Sequence, residues 1–219
     1  MDQIESLDQL QNEVKVEEVN ILFLDVSSTC TGYSIYRLNF HTKTAILQKA
    51  GALWMNQDWQ HAEKYSYMFH AVSNYFWVVE QVDYIVTEQY SINPKRMSGV
   101  MTVPEMLGSI KTAAWENGIK VSSILPQQWR SKLGIKATVT NGEKDWKEPT
   151  KQKVLTLANV PEDTVSNITG QLRKSPSDLY DSIAIGWGWL IKFGIKSVQV
   201  SPNVKFNDHI GVISNKGGA

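Results

Sequence analysis

The stretch Ile21-Leu22-Phe23-Leu24-Asp25-Val26 decides the fold, because it is a short, continuous apolar run that contains an acid near its end. Such a run is expected of a central strand covered on both faces of a sheet. A second, β-branched run, Tyr84-Ile85-Val86-Thr87-Glu88, also terminates in an acid. Burying a charge without a partner costs several kcal/mol. We therefore expect a cationic group where these two strands end.

The surrounding patterns predict a βββαβαβ order of elements. Residues 32–36 and 45–50 resemble two strands of an antiparallel meander that follows the first strand. Residues 58–79 carry apolar side chains at helical spacing, and 98–117 form a second predicted helix, followed by a strand at 119–125. Two last helices are predicted at 151–158 and 177–193. In a βββαβ order the first and fourth strands are commonly parallel neighbours, so Asp25 and Glu88 should lie side by side.

The length of 219 residues favours one domain with tails. We expect an acidic N-terminal arm at 1–19, one globular domain at 20–200 and a flexible C-terminal tail at 201–219. No apolar run approaches the roughly 20 residues of a membrane span, and the N-terminus lacks the pattern of a signal peptide. Cys30 is the only cysteine, which excludes an intramolecular disulfide and a cysteine-rich zinc site. A reducing, cytoplasmic location is expected.

The net charge is zero, but the charges are unevenly placed. Residues 1–18 contain six acids and one base, which leaves 21 bases against 16 acids in the remainder. Seven of those bases lie between positions 130 and 153, against three acids. This segment is either a phosphate-binding patch or a solvated polar loop.

Two further acids are three positions apart on the last predicted helix, Asp178 and Asp181, and so share one face. Two unit charges about 4 Å apart repel by roughly 4 kcal/mol at an effective dielectric near 20, so four converging carboxylates need cations. All-oxygen ligands suit Mg²⁺ or Mn²⁺, and a pair of such ions can hydrolyse a phosphodiester. The set thus predicts two ions per site, held by Asp25, Glu88, Asp178 and Asp181.

Each acid also has a plainer interpretation. Asp25 could be a turn acid bonded to Ser27 or Ser28, and Glu88 could be a charge on an edge strand. Asp178 could simply favour the helix dipole, with Ser175 as N-cap and Pro176 at the first helical position. The four acids together, each at the end of the right element, favour the metal site.

The ordered set resembles the RuvC family of Holliday junction resolvases, with similarity to its viral and phage branch. Leu22-Phe23-Leu24-Asp25-Val26-Ser27-Ser28-Thr29 is similar to the first acidic motif of the family, and Ile85-Val86-Thr87-Glu88-Gln89 is similar to the second. Asp178-Leu179-Tyr180-Asp181-Ser182-Ile183-Ala184 resembles the last motif, with Ser182 in place of the usual alanine. The resemblance implies an α/β fold: an RNase H-like (RuvC-type) five-stranded mixed β-sheet flanked by α-helices. It also implies a homodimer that cuts four-way or other branched DNA.

The resemblance further suggests residues that touch DNA. Tyr90 is the nearest candidate for an aromatic wedge, although a core tyrosine is equally compatible. Lys151 stands where the family places a catalytic lysine at the scissile phosphate, and Arg130 matches another such position more loosely. Further backbone contacts are expected from Lys95, Arg96 and Lys153. Residues 137–149 depart from the family pattern, and their Asn141-Gly142 turn signal predicts an extra hairpin that could adapt the surface to other branched DNA.

Three alternatives remain open at this stage. An RNA-processing nuclease of the same superfamily would share the metal site. An actin-like or sugar-kinase-like ATPase is suggested because Ser28, Thr29 and Gly32 after Asp25 also resemble its first phosphate loop, but it needs a second domain. A degenerate DNA-binding domain should have lost at least one acid, and all four are present.

Overall fold

The structure is a computed structural model that describes residues 7–14, 16–90, 101–140, 142–158 and 177–207. Its strands are β1 (Glu18–Asp25), β2 (Cys30–Asn39), β3 (Thr44–Trp54), β4 (Tyr84–Glu88), β5 (Lys120–Ile124), β6 (Thr138–Thr140), β7 (Glu143–Asp145) and β8 (Ser197–Asn207). Its α-helices are α1 (Leu7–Val14), α2 (His61–His70), α3 (Thr102–Glu116), α4 (Pro126–Leu133), α5 (Lys147–Ala158) and α6 (Ser177–Lys192), and a π-helix (Ala71–Val79) continues α2.

The main sheet is mixed, with the strand order β5-β4-β1-β2-β3-β8. β1 to β3 form the predicted antiparallel meander, and β4 pairs with β1 in parallel. The register places Leu24 beside Thr87. The next residue on each strand is its last, so Asp25 of β1 and Glu88 of β4 end neighbouring strands at the same level. This parallel pairing confirms the predicted placement of the two strand-end acids.

The sheet has six strands, so the expectation of five was wrong. The additional strand is β8, which pairs in parallel with β3 and extends to Asn207. It includes residues 201–207, which were expected to belong to a flexible tail. β8 lies at the edge of the sheet, where its order depends on pairing with β3 rather than on its own polar and proline-containing sequence. Residues 208–219 lie outside the described part of the chain.

Side chains alternate between the two faces of the sheet. Ile21 and Phe23 of β1 face a core covered by α1, α4, α5 and α6. Leu22 and Leu24 face the other core, which α2, the π-helix and α3 cover. Because successive strand residues point to opposite faces, Asp25 lies on the same face of the sheet as Ile21 and Phe23. The α6 side of the sheet is therefore where the functional acids should be.

Three local features differ from the sequence expectations. The acidic N-terminal segment contains α1, and its Leu10 is fully buried in the core. The predicted helix at 58–79 changes pitch at Ala71, where the π-helix begins. No apolar repeat in the sequence predicts α4, although Pro126 opens it and Gly134, at φ +66°, ends it, as is typical of helix termini.

The expected extra hairpin is present. β6 and β7 form a separate antiparallel pair in which Val139 lies opposite Lys144. The hairpin leads directly into α5 through Trp146. Among the described helices none is long and apolar enough to cross a membrane.

Candidate active site

The four predicted acids lie at one end of the sheet. Asp25 ends β1, Glu88 ends β4, and Asp178 and Asp181 lie in the first turns of α6. The carboxylate of Asp25 interacts electrostatically with those of Asp181, Glu88 and Asp178. The structure thus brings together all four acids, which come from three separate parts of the chain.

Close packing of α6 on β2 sets the position of its two acids. A Cβ at Gly32 would lie 1.8 Å from the backbone oxygen of Asp178, so only glycine permits this approach. The Ser34 hydroxyl donates to the backbone oxygen of Ser182 over 2.9 Å, and the Tyr36 hydroxyl donates to that of Ile183 over 3.0 Å. Because β2 neighbours β1, these contacts hold the start of α6 beside Asp25.

Ser182, the departure from the resembled motif, fits into this packing. Its side chain is fully buried, and its hydroxyl donates to the backbone oxygen of Leu179 over 2.8 Å. The hydroxyl is therefore satisfied within the helix, and the substitution leaves the position of the neighbouring Asp181 compatible with the site.

Burial and mutual repulsion raise the pKa values of the acids. Burial raises the pKa of Asp25 well above its usual range, and the charges of Asp181, Glu88 and Asp178 raise it further. Burial, with the charges of Glu88 and Asp178, raises the pKa of Asp181 to about 7 despite the opposing effect of Arg130. Burial also raises the pKa values of Glu88 and Asp178. Ionisation of all four acids together is therefore unfavourable unless a cation compensates their charge.

Trp129 and Trp146 frame the Glu88 side of the site. The indole Nε1–H of Trp129 donates to Oε2 of Glu88 over 2.9 Å. The guanidinium of Arg130 lies 4.7 Å from the ring centroid of Trp129 and 4.8 Å from that of Trp146. Its charge lowers the pKa values of Asp25, Glu88 and Asp181. Arg130 is thus held between two indoles close to the carboxylates.

Cys30 lies on the other side, next to Asp178. Burial raises the pKa of its thiol, and the nearby Asp178 carboxylate, to which the thiol donates a hydrogen bond, raises it further. A thiol whose pKa is raised stays protonated and is a poor metal ligand. The donor set of the site is accordingly made of carboxylates.

The structure gives the surroundings of some of the residues predicted to bind DNA and does not test their role. Tyr90 is 37% exposed two residues beyond Glu88, which leaves it accessible to a ligand. The ammonium of Lys151 lies 5.9 Å from the ring centroid of Tyr180. Tyr180 belongs to α6, the helix that carries the two aspartates. Lys153 is partly buried on α5. Lys95 and Arg96 lie outside the described residues, and the roles of all five stay predictions.

Four residues in or around the acid cluster were not assigned a role from the sequence: Cys30, Trp129 and Lys147, which act on the acids, and Trp146, which packs against Arg130. The charge of Lys147, one helical turn before Lys151, lowers the pKa values of Asp178 and Asp181. Only Lys147 carried a signal, as one of the bases of the segment 130–153. The bond from Trp129 to Glu88 joins residues 41 positions apart, so no local pattern could reveal it.

The donor chemistry of this cluster fits divalent cations. Carboxylate oxygens are the ligands that Mg²⁺ and Mn²⁺ prefer, and the raised pKa values indicate charge that a cation would neutralise. Within the described ranges, no three acid, histidine or cysteine side chains are gathered closely enough to form a ready ligand set for one ion. The acids therefore share one region without closing into a preformed cage.

Comparison with solved structures shows which fold this is. Thermus thermophilus RuvC superposes with a TM-score of 0.58 at 17% identity, over 80% of this chain and 97% of its own. In complex with Holliday junction substrate, T. thermophilus RuvC gives 0.55 at 16% identity, over 81% and 97%. The yeast mitochondrial Holliday junction resolvase Ydc2 gives 0.57 at 14% identity, over 85% of each chain.

No protein-family model and no curated protein matches the sequence. The structural likeness confirms that this chain has an RNase H-like fold of the RuvC type. The similarity to the viral and phage branch stays a prediction.

Proposed function

We propose that the protein is a structure-selective endonuclease that resolves Holliday junctions or other branched DNA by two-metal-ion hydrolysis of phosphodiesters. One observation carries the proposal: acids from β1, β4 and α6 meet at one end of the sheet, where burial and mutual repulsion raise their pKa values. Support comes also from the solved structures of this fold, one of which is RuvC with a Holliday junction substrate.

Asp25, Glu88, Asp178 and Asp181 would hold the cations, Mg²⁺ or Mn²⁺, with two per site. Bound there, the ions would supply an activated water and stabilise charge on the leaving oxygen. The chain itself orients the ligands, since Trp129 bonds Glu88 and the α6 backbone lies against Gly32. Arg130 and Lys147 place positive charge beside the acids, where a phosphate would lie.

The basic segment 130–153 would hold the DNA backbone next to the metal site. Lys151, the proposed catalytic lysine, lies one turn beyond Lys147 on α5. Tyr90, Lys95, Arg96, Arg130 and Lys153 complete the proposed DNA surface. The β6–β7 hairpin extends the proposed DNA surface. Its exposed Val139 and Lys144 are paired across the two strands and lie on the same face of the hairpin. Contacts between basic side chains and the phosphate backbone position a duplex without reading its sequence.

A homodimer acting in the cytoplasm completes the proposal, since two symmetric sites could cut two strands of a junction. An apolar area on the π-helix is compatible with an interface: Trp77, Val78 and Val79 are 40%, 66% and 63% exposed. Exposed apolar patches commonly mark interaction surfaces. Sedimentation velocity should give twice the 24.7 kDa mass of the chain, whereas a monomer at all concentrations would contradict the dimer.

A cleavage panel tests the activity. Four-way junctions, flaps and linear duplexes in DNA, with matched RNA forms, should be incubated with Mg²⁺ or Mn²⁺. We expect cleavage of branched DNA, leaving 5′-phosphate and 3′-hydroxyl ends, and little cleavage of linear duplex. Preferential cutting of RNA would favour the RNA-processing alternative. ATP turnover without cleavage would favour the kinase-like alternative, which shares only the Asp25 loop.

A further inference from the structure

Trp129 is a fully buried side chain at the meeting point of α4, β4 and α6. Its indole N–H donates to Oε2 of Glu88 over 2.9 Å. We infer that Trp129 is a positioning residue, which fixes the Glu88 carboxylate in the orientation that binds metal. The inference rests on the proposed function, because it assigns Glu88 as a ligand.

The hydrogen bond restricts a flexible ligand. A glutamate side chain rotates about three bonds, so its carboxylate can face many directions when nothing holds it. Engaging Oε2 limits the orientations in which the same carboxylate can present oxygen to a cation. Groups that orient metal ligands in this way typically contribute 10- to 100-fold to metal affinity or activity.

Trp129 also connects Glu88 to the helix that carries the two aspartates. A Cβ at Gly188 of α6 would lie 2.7 Å from Cβ of Trp129 and 2.9 Å from its backbone oxygen. The backbone of α6 therefore rests directly on Trp129. Trp129 thus relates Glu88, which its indole contacts, to the helix bearing Asp178 and Asp181, which lies against its backbone and Cβ.

Mn²⁺ binding to the metal-free full chain, measured by calorimetry, tests the inference with the ion alone as probe. Trp129→Phe removes the N–H donor and keeps an aromatic ring. Trp189→Phe is the matched control, because Trp189 lies in the same core against Phe23 and Tyr84. We expect Mn²⁺ affinity to fall roughly 10- to 100-fold in Trp129→Phe and to stay near wild type in Trp189→Phe.

A double-mutant cycle separates positioning from general structural damage. If Trp129 acts through Glu88, adding Trp129→Phe to Glu88→Gln should cost no further Mn²⁺ affinity. Equal affinity of Trp129→Phe and wild type would overturn the inference, as would equal losses in Trp129→Phe and Trp189→Phe. Additive losses in the double variant would overturn it as well.

A second measurement does not depend on the folding of Trp129→Phe. The chain has eight tryptophans, whose indole N–H groups give separate resonances in a ¹H–¹⁵N spectrum. One of them should shift both in Glu88→Gln and when Mg²⁺ is added to wild type; if none responds to both, the inference is wrong. If wild type shows no metal binding that depends on Glu88, both the proposed metal site and this inference are wrong. If wild type binds metal and cleaves DNA, and Trp129→Phe binds metal equally well, this inference alone is wrong.

Discussion

Replacing Asp181 should stabilise the metal-free protein in a pH-dependent way. The pKa of Asp181 is raised from its ordinary 3.8 to about 7 by burial and by the charges of Glu88 and Asp178. Between these values the folded chain binds a proton at Asp181 that the unfolded chain releases. The resulting stabilisation is present below the ordinary pKa and is lost as pH rises through about 7.

The size of the stability change follows from the interval of two pH units between pH 5 and the Asp181 pKa of about 7. At about 1.4 kcal/mol per unit, wild type should lose roughly 3 kcal/mol of unfolding free energy through Asp181 between pH 5 and pH 8. Asp181→Asn should keep this free energy, because asparagine has no carboxyl group to titrate. The variant should therefore gain roughly 3 kcal/mol relative to wild type over that interval, while losing cleavage activity.

Urea unfolding in EDTA at both pH values, followed by tryptophan fluorescence, measures this difference. Asp58→Asn, which removes a solvent-exposed carboxylate, is the matched control and should follow wild type. A stability difference between Asp181→Asn and wild type that is the same at both pH values would refute the reasoning. Adding Mg²⁺ at pH 8 should stabilise wild type more than Asp181→Asn.

Three further predictions concern other parts of the site. Gly32→Ala should destabilise the fold by about 3 kcal/mol or more, measured by urea unfolding, because its Cβ would meet the Asp178 backbone at 1.8 Å. Gly108→Ala, which meets nothing within 4 Å, should be neutral or stabilising by up to about 1 kcal/mol, and an equal loss in both variants would contradict the packing. Arg130→Ala should weaken junction binding and lower the slope of affinity against salt concentration by about 1; an unchanged slope would argue against a phosphate contact. The buried Cys30 thiol should resist iodoacetamide in the native chain and react in urea, so rapid labelling of native protein would contradict its burial.

The sequence was sufficient for the central strands and for the positions of the acids. Continuous apolar runs identify β1 and β4, and chain order makes them parallel neighbours, so the convergence of Asp25 and Glu88 followed from local patterns. The three-residue spacing of Asp178 and Asp181 places them on one helix face in the same way. These features depend on short-range periodicity, which sequence reveals well.

The features that were missed depend on long-range pairing. β8 contains Pro202 and polar residues, and its order comes from pairing with β3, about 150 residues earlier in the chain. α4 has a polar sequence whose helix is defined by its ends, Pro126 and Gly134, rather than by periodicity. Neither segment carries the strong local apolar repeat on which prediction relies.

The surroundings of the acids were harder still to predict. The contacts of Trp129 with Glu88 and of Arg130 with Trp146 join separate parts of the chain, so they become visible only when α4, β4 and the residue before α5 are assembled. The catalytic role of Lys151 rests on the resemblance alone and stays a prediction. The charge of Lys147, one turn earlier, lowers the pKa values of Asp178 and Asp181, and no sequence pattern pointed to this effect.

The most direct test of the account compares binding and cleavage of one four-way DNA junction by wild type and Asp25→Asn. Wild type should cut the junction in Mg²⁺ and stop when EDTA is added. Asp25→Asn should bind the junction with near wild-type affinity and fail to cut it, because the basic surface is intact and a proposed metal ligand is lost. Cleavage by wild type in EDTA, or by Asp25→Asn in Mg²⁺, would contradict the claim that the four carboxylates act through divalent ions.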